Sequence, residues 1–229
     1  MRNHRFRRIF AATTLILIGG AIVTGTVLQG QAEAPQITVA VDAGHGGTDG
    51  GAVAKDGTPE KDLNLSIALI LKEALEKRGA AVILTRTADD DTDGSPEGFF
   101  KKKDLERRAE IGGGDGVDLF LSIHCNASTS TADKGFQVWY GMQNREGERL
   151  AESICRSVDE AKICTRIRAV KQVPESLYLF RTLNIPNLLI ECGFLTNRQD
   201  LELLKSTEFQ KNLCEAICDG IFDYYSGIN

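Results

Sequence analysis

Two histidines and two glutamates stand at positions where a folded chain could bring them together. His45 lies in the glycine-rich residues 41–47, directly after an apolar stretch, and His124 ends a second apolar stretch. Glu60 precedes a helical pattern, and Glu191 ends a third apolar stretch. Two histidines and one carboxylate can form a catalytic zinc site with one position open for water, and a further carboxylate can act as general base.

Each of these residues also has an explanation that requires no chemistry. A histidine at the end of a strand is more often a hydrogen-bonded structural residue than a ligand. Glu60 could favour the positive end of a helix dipole, and Glu191 could pair with an arginine. The glycine-rich residues 43–51 could hold a phosphate, but they lack the Lys-Ser/Thr of a P-loop and the spacing of a dinucleotide fingerprint. The residues alone therefore favour a zinc hydrolase but leave the alternatives open.

The elements that would position these residues alternate between strands and helices. Strands are predicted at residues 37–42, 81–85, 119–124, 135–140 and 188–191, and helices at residues 61–78, 103–111, 145–160, 200–204 and 207–225. This alternation predicts one α/β domain with a mainly parallel sheet. Ligands bind beyond the carboxyl ends of the strands in such sheets, so we expect His45, His124 and Glu191 at one edge.

Residues 1–34 differ from the rest of the chain. They open with four arginines and no acid, and residues 9–28 then carry no charge. This pattern predicts either a removed signal peptide or an uncleaved membrane anchor. The small-x-small sequence at residues 32–34 favours cleavage, whereas Pro35 disfavours it. Both alternatives predict that residues 35–229 are exported, to the outer face of the cytoplasmic membrane or the cell wall, with N-terminal membrane contact.

Charge and cysteine content narrow the function further. The net charge of -5 provides no basic face for nucleic acid, so no nucleic-acid partner is expected. The six cysteines show no dense disulfide pattern, and a domain of this size does not need one. We therefore expect mostly buried free thiols, with Cys155 and Cys164 as the only candidate disulfide pair.

Several motifs, in the same order along the chain, resemble those of the N-acetylmuramoyl-L-alanine amidases of the amidase_3 type. They lie at residues 41–52, 60–65, 84–86, 119–127 and 189–197. The resemblance spans residues 36–226. It implies a mixed, six-stranded sheet flanked by helices, and it implies hydrolysis of the amide bond between N-acetylmuramic acid and L-alanine in peptidoglycan.

The resemblance also implies a role for each candidate residue. By motif, His45, Glu60 and His124 would hold one Zn²⁺ ion. Glu191 would be the catalytic carboxylate, which takes a proton from the attacking water and passes it to the departing nitrogen.

Weaker expectations concern the surroundings of the metal site. Arg86 and Asn126 are expected to bind polar groups of the substrate, because of their motif positions. Asp42 is expected to orient His45 through the second ring nitrogen. The three glycines of residues 112–114 depart from the family pattern and should weaken the helix that they end.

A narrower resemblance is to the germination-specific, CwlD-type amidases of spore formers. It rests on the insertion at residues 93–98 and on an apolar leader that runs directly into the catalytic domain, without a recognisable wall-binding module. Those enzymes remove peptides from cortex muramic acid so that a second enzyme can form muramic-δ-lactam. The corresponding location is the forespore intermembrane space. Three other functions stay open, which are a general cell-wall autolysin, a zinc carboxypeptidase and a non-catalytic wall-binding scaffold. The sequence also leaves open whether a protein partner activates the enzyme.

Overall fold

The computed structural model describes residues 36–92, 100–142 and 145–227. The strands are β1 (Thr38–Ala43), β2 (Ala81–Leu84), β3 (Leu119–Asn126), β4 (Gln137–Tyr140), β5 (Lys171–Gln172) and β6 (Asn187–Phe194). The helices are α1 (Glu60–Lys77), α2 (Lys101–Gly112), α3 (Arg145–Glu160), α4 (Tyr178–Thr182), α5 (Arg198–Leu204) and α6 (Thr207–Tyr225). The predicted leader at residues 1–34 and the insertion at residues 93–98 lie outside the described residues.

All six strands form one sheet in the order β2-β1-β3-β6-β4-β5. β1 pairs in parallel with β2 and β3, and β3 pairs in parallel with β6. β4 pairs antiparallel with β6 and parallel with β5. The mixed, mainly parallel sheet flanked by helices is therefore confirmed. Because β1, β3 and β6 run in the same direction, their carboxyl ends share one edge.

Successive side chains along the strands enter two different cores, as the pleat of a strand requires. Val39, Val41 and Leu121 belong to the larger core, together with apolar residues of α1, α3 and α6. Ala40 and Phe120 belong to a smaller core with residues of α2 and α4. The sheet is therefore covered on both faces, and this accounts for the nearly continuous apolar sequences of β1 and β3.

Gly112 explains the departure from the family pattern at the end of α2. A Cβ atom at this position would lie 2.3 Å from the ring of Phe120 on β3. The missing side chain thus lets the helix pack closely against the sheet. α2 extends through Gly112, so it is one residue longer at this end than predicted and two residues longer at its start.

Two elements were not predicted, and two strands are longer than predicted. β5 has two residues and α4 has five, which is too short for a hydrophobic period to be visible. β3 continues past His124 to Asn126, and β6 continues past Glu191 to Phe194, with an irregular register between residues 124 and 126. The prediction that these two site residues end their strands was therefore wrong. Bulges of this kind are common beside active sites because they redirect side chains.

The structure also shows the state of the six cysteines and whether any described helix could span a membrane. All six cysteines are free; Cys164 is half-buried and the others are buried, which confirms the expected buried thiols. Cys155 and Cys164 form no disulfide in this structure. Among the residues described, no helix combines the length and apolar character needed to cross a bilayer.

Candidate metal centre

His45, Glu60 and His124 converge at the carboxyl edge of the sheet. His45 follows β1 by two residues and adopts a left-handed backbone conformation, with φ of 62°. Glu60 is the first residue of α1, and His124 lies near the end of β3. One ligand atom from each of the three side chains lies within 4.8 Å of the other two. The structure therefore brings together the three residues that the sequence predicted.

The distances between these side chains suit a shared metal ion. His45 Nε2 lies 3.2 Å from Glu60 Oε2, and His124 Nδ1 lies 2.9 Å from Glu60 Oε1. Ligand atoms about 2.1 Å from one tetrahedral ion lie about 3.4 Å apart. Two imidazole nitrogens and a carboxylate are also the donor set of catalytic zinc sites. Both the spacing and the chemistry of the donors therefore fit zinc.

Glu60 is held ionised at the centre of this set. Ala52 N–H donates to its Oε2 at 3.0 Å, while Asn64 Nδ2 and Cys125 N–H each donate to its Oε1 at 3.2 Å. Burial alone would raise the pKa of this carboxyl, but the contacts with His124 and His45 lower the pKa far below its ordinary range. A carboxylate must be deprotonated to bind metal, so the environment of Glu60 suits a ligand.

Glu191 lies on β6 directly across from His124 on β3. Its Oε2 atom is inaccessible to solvent and has no hydrogen-bond partner among the described residues. Burial raises the pKa of Glu191 to about 7; the neighbouring Glu60 adds to this shift, and the two histidines oppose it. A carboxyl that is unpaired and titrates near neutrality can both accept and release a proton, as a general acid–base must.

Asp49, and not Asp42, lies beside the second ring nitrogen of His45. His45 Nδ1 is 3.0 Å from Asp49 Oδ2, which is close enough for an ion pair. The angle between the two groups does not meet the geometry of a hydrogen bond. Burial would lower the pKa of His45, but its carboxylate neighbours Glu60 and Asp49 raise it. Asp49 is itself paired with Lys101 at the start of α2. Asp49 is therefore the carboxylate paired with the ring of His45, and the structure does not support the orienting role predicted for Asp42.

Asp42 points toward α2 because strand alternation turns its side chain to that face of the sheet. It is buried and accepts hydrogen bonds from Thr85 Oγ1 at 2.7 Å, Arg108 Nη1 at 2.7 Å and Ser122 Oγ at 2.6 Å. Burial would raise the pKa of Asp42, but Arg108 and the two hydroxyl groups lower it. The prediction for Asp42 failed because the turn after β1 separates it from the ring of His45.

Arg86 is buried against the backbone rather than in a binding cleft. Its guanidinium donates hydrogen bonds to four backbone carbonyls, which belong to Ala43, Gly44, Lys61 and Ala88. With 5% of its surface exposed, Arg86 has little area left for substrate. Substrate contact remains a prediction for Arg86, whereas the structure shows it hydrogen-bonded to the two residues that precede His45.

Sequence reasoning missed Arg108 altogether. Its sequence neighbours on α2 are mostly charged, so it resembles a solvated residue. In the structure Arg108 is 2% exposed and bonds Asp104, four residues earlier on the helix. The only available signal was this acid–base pair at a spacing of four residues, which also occurs on many exposed helix faces.

A cleft of about 480 Å³ opens beside the candidate metal centre. His45, His124, Glu191 and Asn126 line its polar end, so Asn126 lies where a substrate-binding residue is expected. The remainder is lined mainly by apolar and aromatic side chains, with Lys101, Ser122 and Ser176 among them. The apolar and aromatic residues are Leu105, Trp139, Pro174, Leu177, Tyr178, Leu179, Phe180 and Leu189. The cleft thus joins the four polar residues to an apolar wall built by α2, α4 and the sheet.

The sequence matches the family Amidase_3, described as N-acetylmuramoyl-L-alanine amidase, over residues 39–223. The germination-specific N-acetylmuramoyl-L-alanine amidase of Bacillus subtilis is 35% identical over 193 residues, which cover 81% of this chain and 78% of that protein. The N-acetylmuramoyl-L-alanine amidase LytC of the same organism is 32% identical over 217 residues, which cover 93% of this chain but 41% of LytC.

A solved structure is similar as well. The CwlD amidase of Clostridioides difficile, in complex with the GerS lipoprotein, superposes with a TM-score of 0.78 at 36% sequence identity. The match covers 84% of this chain and 100% of that chain. The family match over residues 39–223 includes His45, Glu60, His124 and Glu191.

Proposed function

The chain belongs to the Amidase_3 family of N-acetylmuramoyl-L-alanine amidases, and on that premise we propose that it cuts peptidoglycan between N-acetylmuramic acid and L-alanine with one zinc ion. The observation that carries the proposal is the convergence of His45, Glu60 and His124 beside Glu191. The first three side chains would hold the ion. Bound zinc supplies a water of lowered pKa and polarises the carbonyl of the scissile amide.

The remaining chemistry falls to Glu191. Its carboxylate would accept the proton of the attacking water and then donate it to the departing L-alanine nitrogen. Its place at the polar end of the cleft and its pKa of about 7 support both halves of this transfer. Asn126, which lines the same end of the cleft, would bind a polar group of the substrate.

We further propose that the enzyme removes stem peptides from spore cortex, ahead of the enzyme that forms muramic-δ-lactam. The similarity to the germination-specific amidase supports this role. The leader at residues 1–34 supports export and membrane contact, which for this role means the forespore intermembrane space. The GerS lipoprotein bound to the similar CwlD amidase supports a protein partner for this chain too.

A general autolytic role is the second candidate, because similarity to LytC covers 93% of this chain. Expression in a spore former that lacks its own cortex amidase separates the two roles. Return of muramic-δ-lactam to the cortex is the expected result. Repaired cell separation without δ-lactam would favour the autolysin instead. Parallel digests of intact muropeptides and free stem peptides distinguish an amidase, which releases peptide only from the former, from a carboxypeptidase.

A further inference from the structure

Three consecutive backbone carbonyls next to the metal centre accept hydrogen bonds from two buried arginines. Arg86 Nε and Arg108 Nη1 both donate to Ala43 O, at 2.9 and 2.8 Å. Arg86 Nη2 donates to Gly44 O at 3.2 Å, and Arg108 Nη2 donates to His45 O at 2.6 Å. The segment of residues 43–45, here called the His45 loop, is therefore fixed by side chains on every carbonyl.

Arg86 also ties this loop to the element that carries the second ligand. Its Nη2 donates to Lys61 O at 2.8 Å, and Lys61 directly follows Glu60 at the start of α1. Asn64, one turn further along α1, adds a bond from Nδ2 to Gly44 O at 3.1 Å. The separation between His45 and Glu60 is thus spanned by hydrogen bonds from Arg86 and Asn64.

Arg108 ties the loop toward the third ligand in a similar way. Its Nη1 donates to Asp42 Oδ1 at 2.7 Å, and Asp42 Oδ2 accepts from Ser122 Oγ at 2.6 Å. Ser122 lies two residues before His124 on the same face of β3. The two arginines therefore connect one histidine ligand to the elements that carry both of the others.

The His45 loop needs such support because its own sequence does not determine its conformation. His45 has a positive φ, which is uncommon for a residue with a Cβ atom. Gly46 and Gly47 follow it with φ of 137° and 51°, and glycines leave a chain free to adopt many conformations. The side-chain bonds to the loop, together with the backbone bond from Gly44 N–H to Ile123 O, therefore reduce the number of conformations open to His45.

The position of Arg86 is electrostatically unfavourable, which argues against a purely structural purpose for it, whereas Asp42 and Asp104 hold the pKa of Arg108 above its ordinary value. Two guanidinium groups meet at one carbonyl oxygen inside the protein, and burial together with Arg108 lowers the pKa of Arg86. Well-packed apolar residues often replace buried ionic groups without loss of stability. Local conflicts of this type occur mainly where function requires them.

We propose that Arg86 and Arg108 are positioning residues that set the zinc affinity of this site, by holding His45 in place against Glu60 and His124 before the ion binds. The inference rests on the proposed zinc function. A lysine at either position would keep the charge, but a single ammonium cannot reproduce the fork of bonds to several separated acceptors. Arg86→Lys and Arg108→Lys are therefore the informative substitutions.

The test measures zinc dissociation constants of the full-length, zinc-free protein by competition with a chromophoric chelator. Affinity should fall about 10- to 100-fold in each arginine variant, as for other residues that support metal ligands. Arg107→Lys, on the exposed side of α2, is the matched control and should bind like the wild type. Thr165→Val loses a hydrogen bond to Asp200 away from the loop, so it controls for destabilisation alone.

Excess zinc should restore amidase turnover to Arg108→Lys, because this substitution removes positioning and no catalytic or substrate-binding group. Affinity within twofold of wild type in a folded arginine variant would overturn the inference, as would an equal loss in Thr165→Val. If one arginine variant fails to fold, the other still decides the outcome. A wild-type protein that binds no zinc would overturn the proposed function itself, so the two failures are distinguishable.

Discussion

Replacement of Glu191 by glutamine should abolish most activity and yet stabilise the zinc-free protein. The amide has nearly the shape of the carboxylate but cannot take a proton from water. General acid–base catalysis contributes about 10²- to 10⁴-fold to a rate, so turnover should fall by that range. Zinc binding should be retained, because Glu191 is not one of the three residues proposed to hold the ion.

The stability gain follows from the raised pKa. Burial raises the pKa of Glu191 from its ordinary value of 4.5 to about 7 in the folded chain. Below pH 4.5 both states are protonated and the group contributes nothing. As pH rises toward 7, the unfolded chain loses its proton first, so the folded state becomes progressively less stable. Above pH 7 the penalty reaches at most about 3 kcal/mol, and solvent in the cleft reduces it.

The glutamine variant escapes this penalty. Urea unfolding of zinc-free wild type and Glu191→Gln should therefore show a gain of about 1–3 kcal/mol at pH 8 and little difference at pH 4.5. The difference between the two proteins cancels the titration of groups that they share. Near wild-type turnover would refute the catalytic role. Equal unfolding free energies at pH 8 would refute the claim that ionised Glu191 destabilises the folded state.

Three further predictions concern close packing and the thiols. Gly112→Ala should destabilise the protein by about 1–3 kcal/mol in urea unfolding despite its better helix propensity, because its Cβ would overlap a neighbouring ring; a stabilised variant would contradict this. Gly44→Ala would place a Cβ atom 2.2 Å from His124 Nε2, so zinc binding measured by chelator competition should be abolished. Gly50→Ala is the control and should bind zinc normally, because its Cβ atom would have no neighbour within 4 Å. Burial raises the pKa of Cys155 to about 12, so iodoacetamide at pH 8 should modify it only in denaturant, as read by mass spectrometry; rapid labelling of the native protein would count against the buried thiol.

The sequence predicted most of the sheet, and it singled out four residues that the structure places at one edge of that sheet, although their roles stay predictions. Apolar stretches and helical spacing marked the long elements, and His45, Glu60, His124 and Glu191 each fell in a recognisable motif. β5 was not predicted because it has two residues, too few for a period. The extension of β3 past the site was missed because Asn126 is polar, and that of β6 was missed because Gly193 interrupts the apolar stretch before Phe194.

The residues that hold the candidate metal ligands in place could not be predicted from the sequence. Arg108 bonds atoms 63 to 66 positions away, and no local pattern reports such a contact. Asp42 and Asp49 are both acids near His45, and only the turn between them decides which one reaches the ring. Arg86 occupies a motif position, but the motif does not reveal that its guanidinium faces backbone carbonyls.

Peptide release from purified muropeptides, with and without a chelator, tests the central claim most directly. Mass spectrometry of the products should show intact stem peptides and peptide-free glycan from the wild-type protein. These products should disappear when zinc is removed and return when zinc is added back. Peptide release that persists in zinc-free protein, with zinc content verified by elemental analysis, would contradict the proposal that His45, Glu60 and His124 hold the catalytic ion.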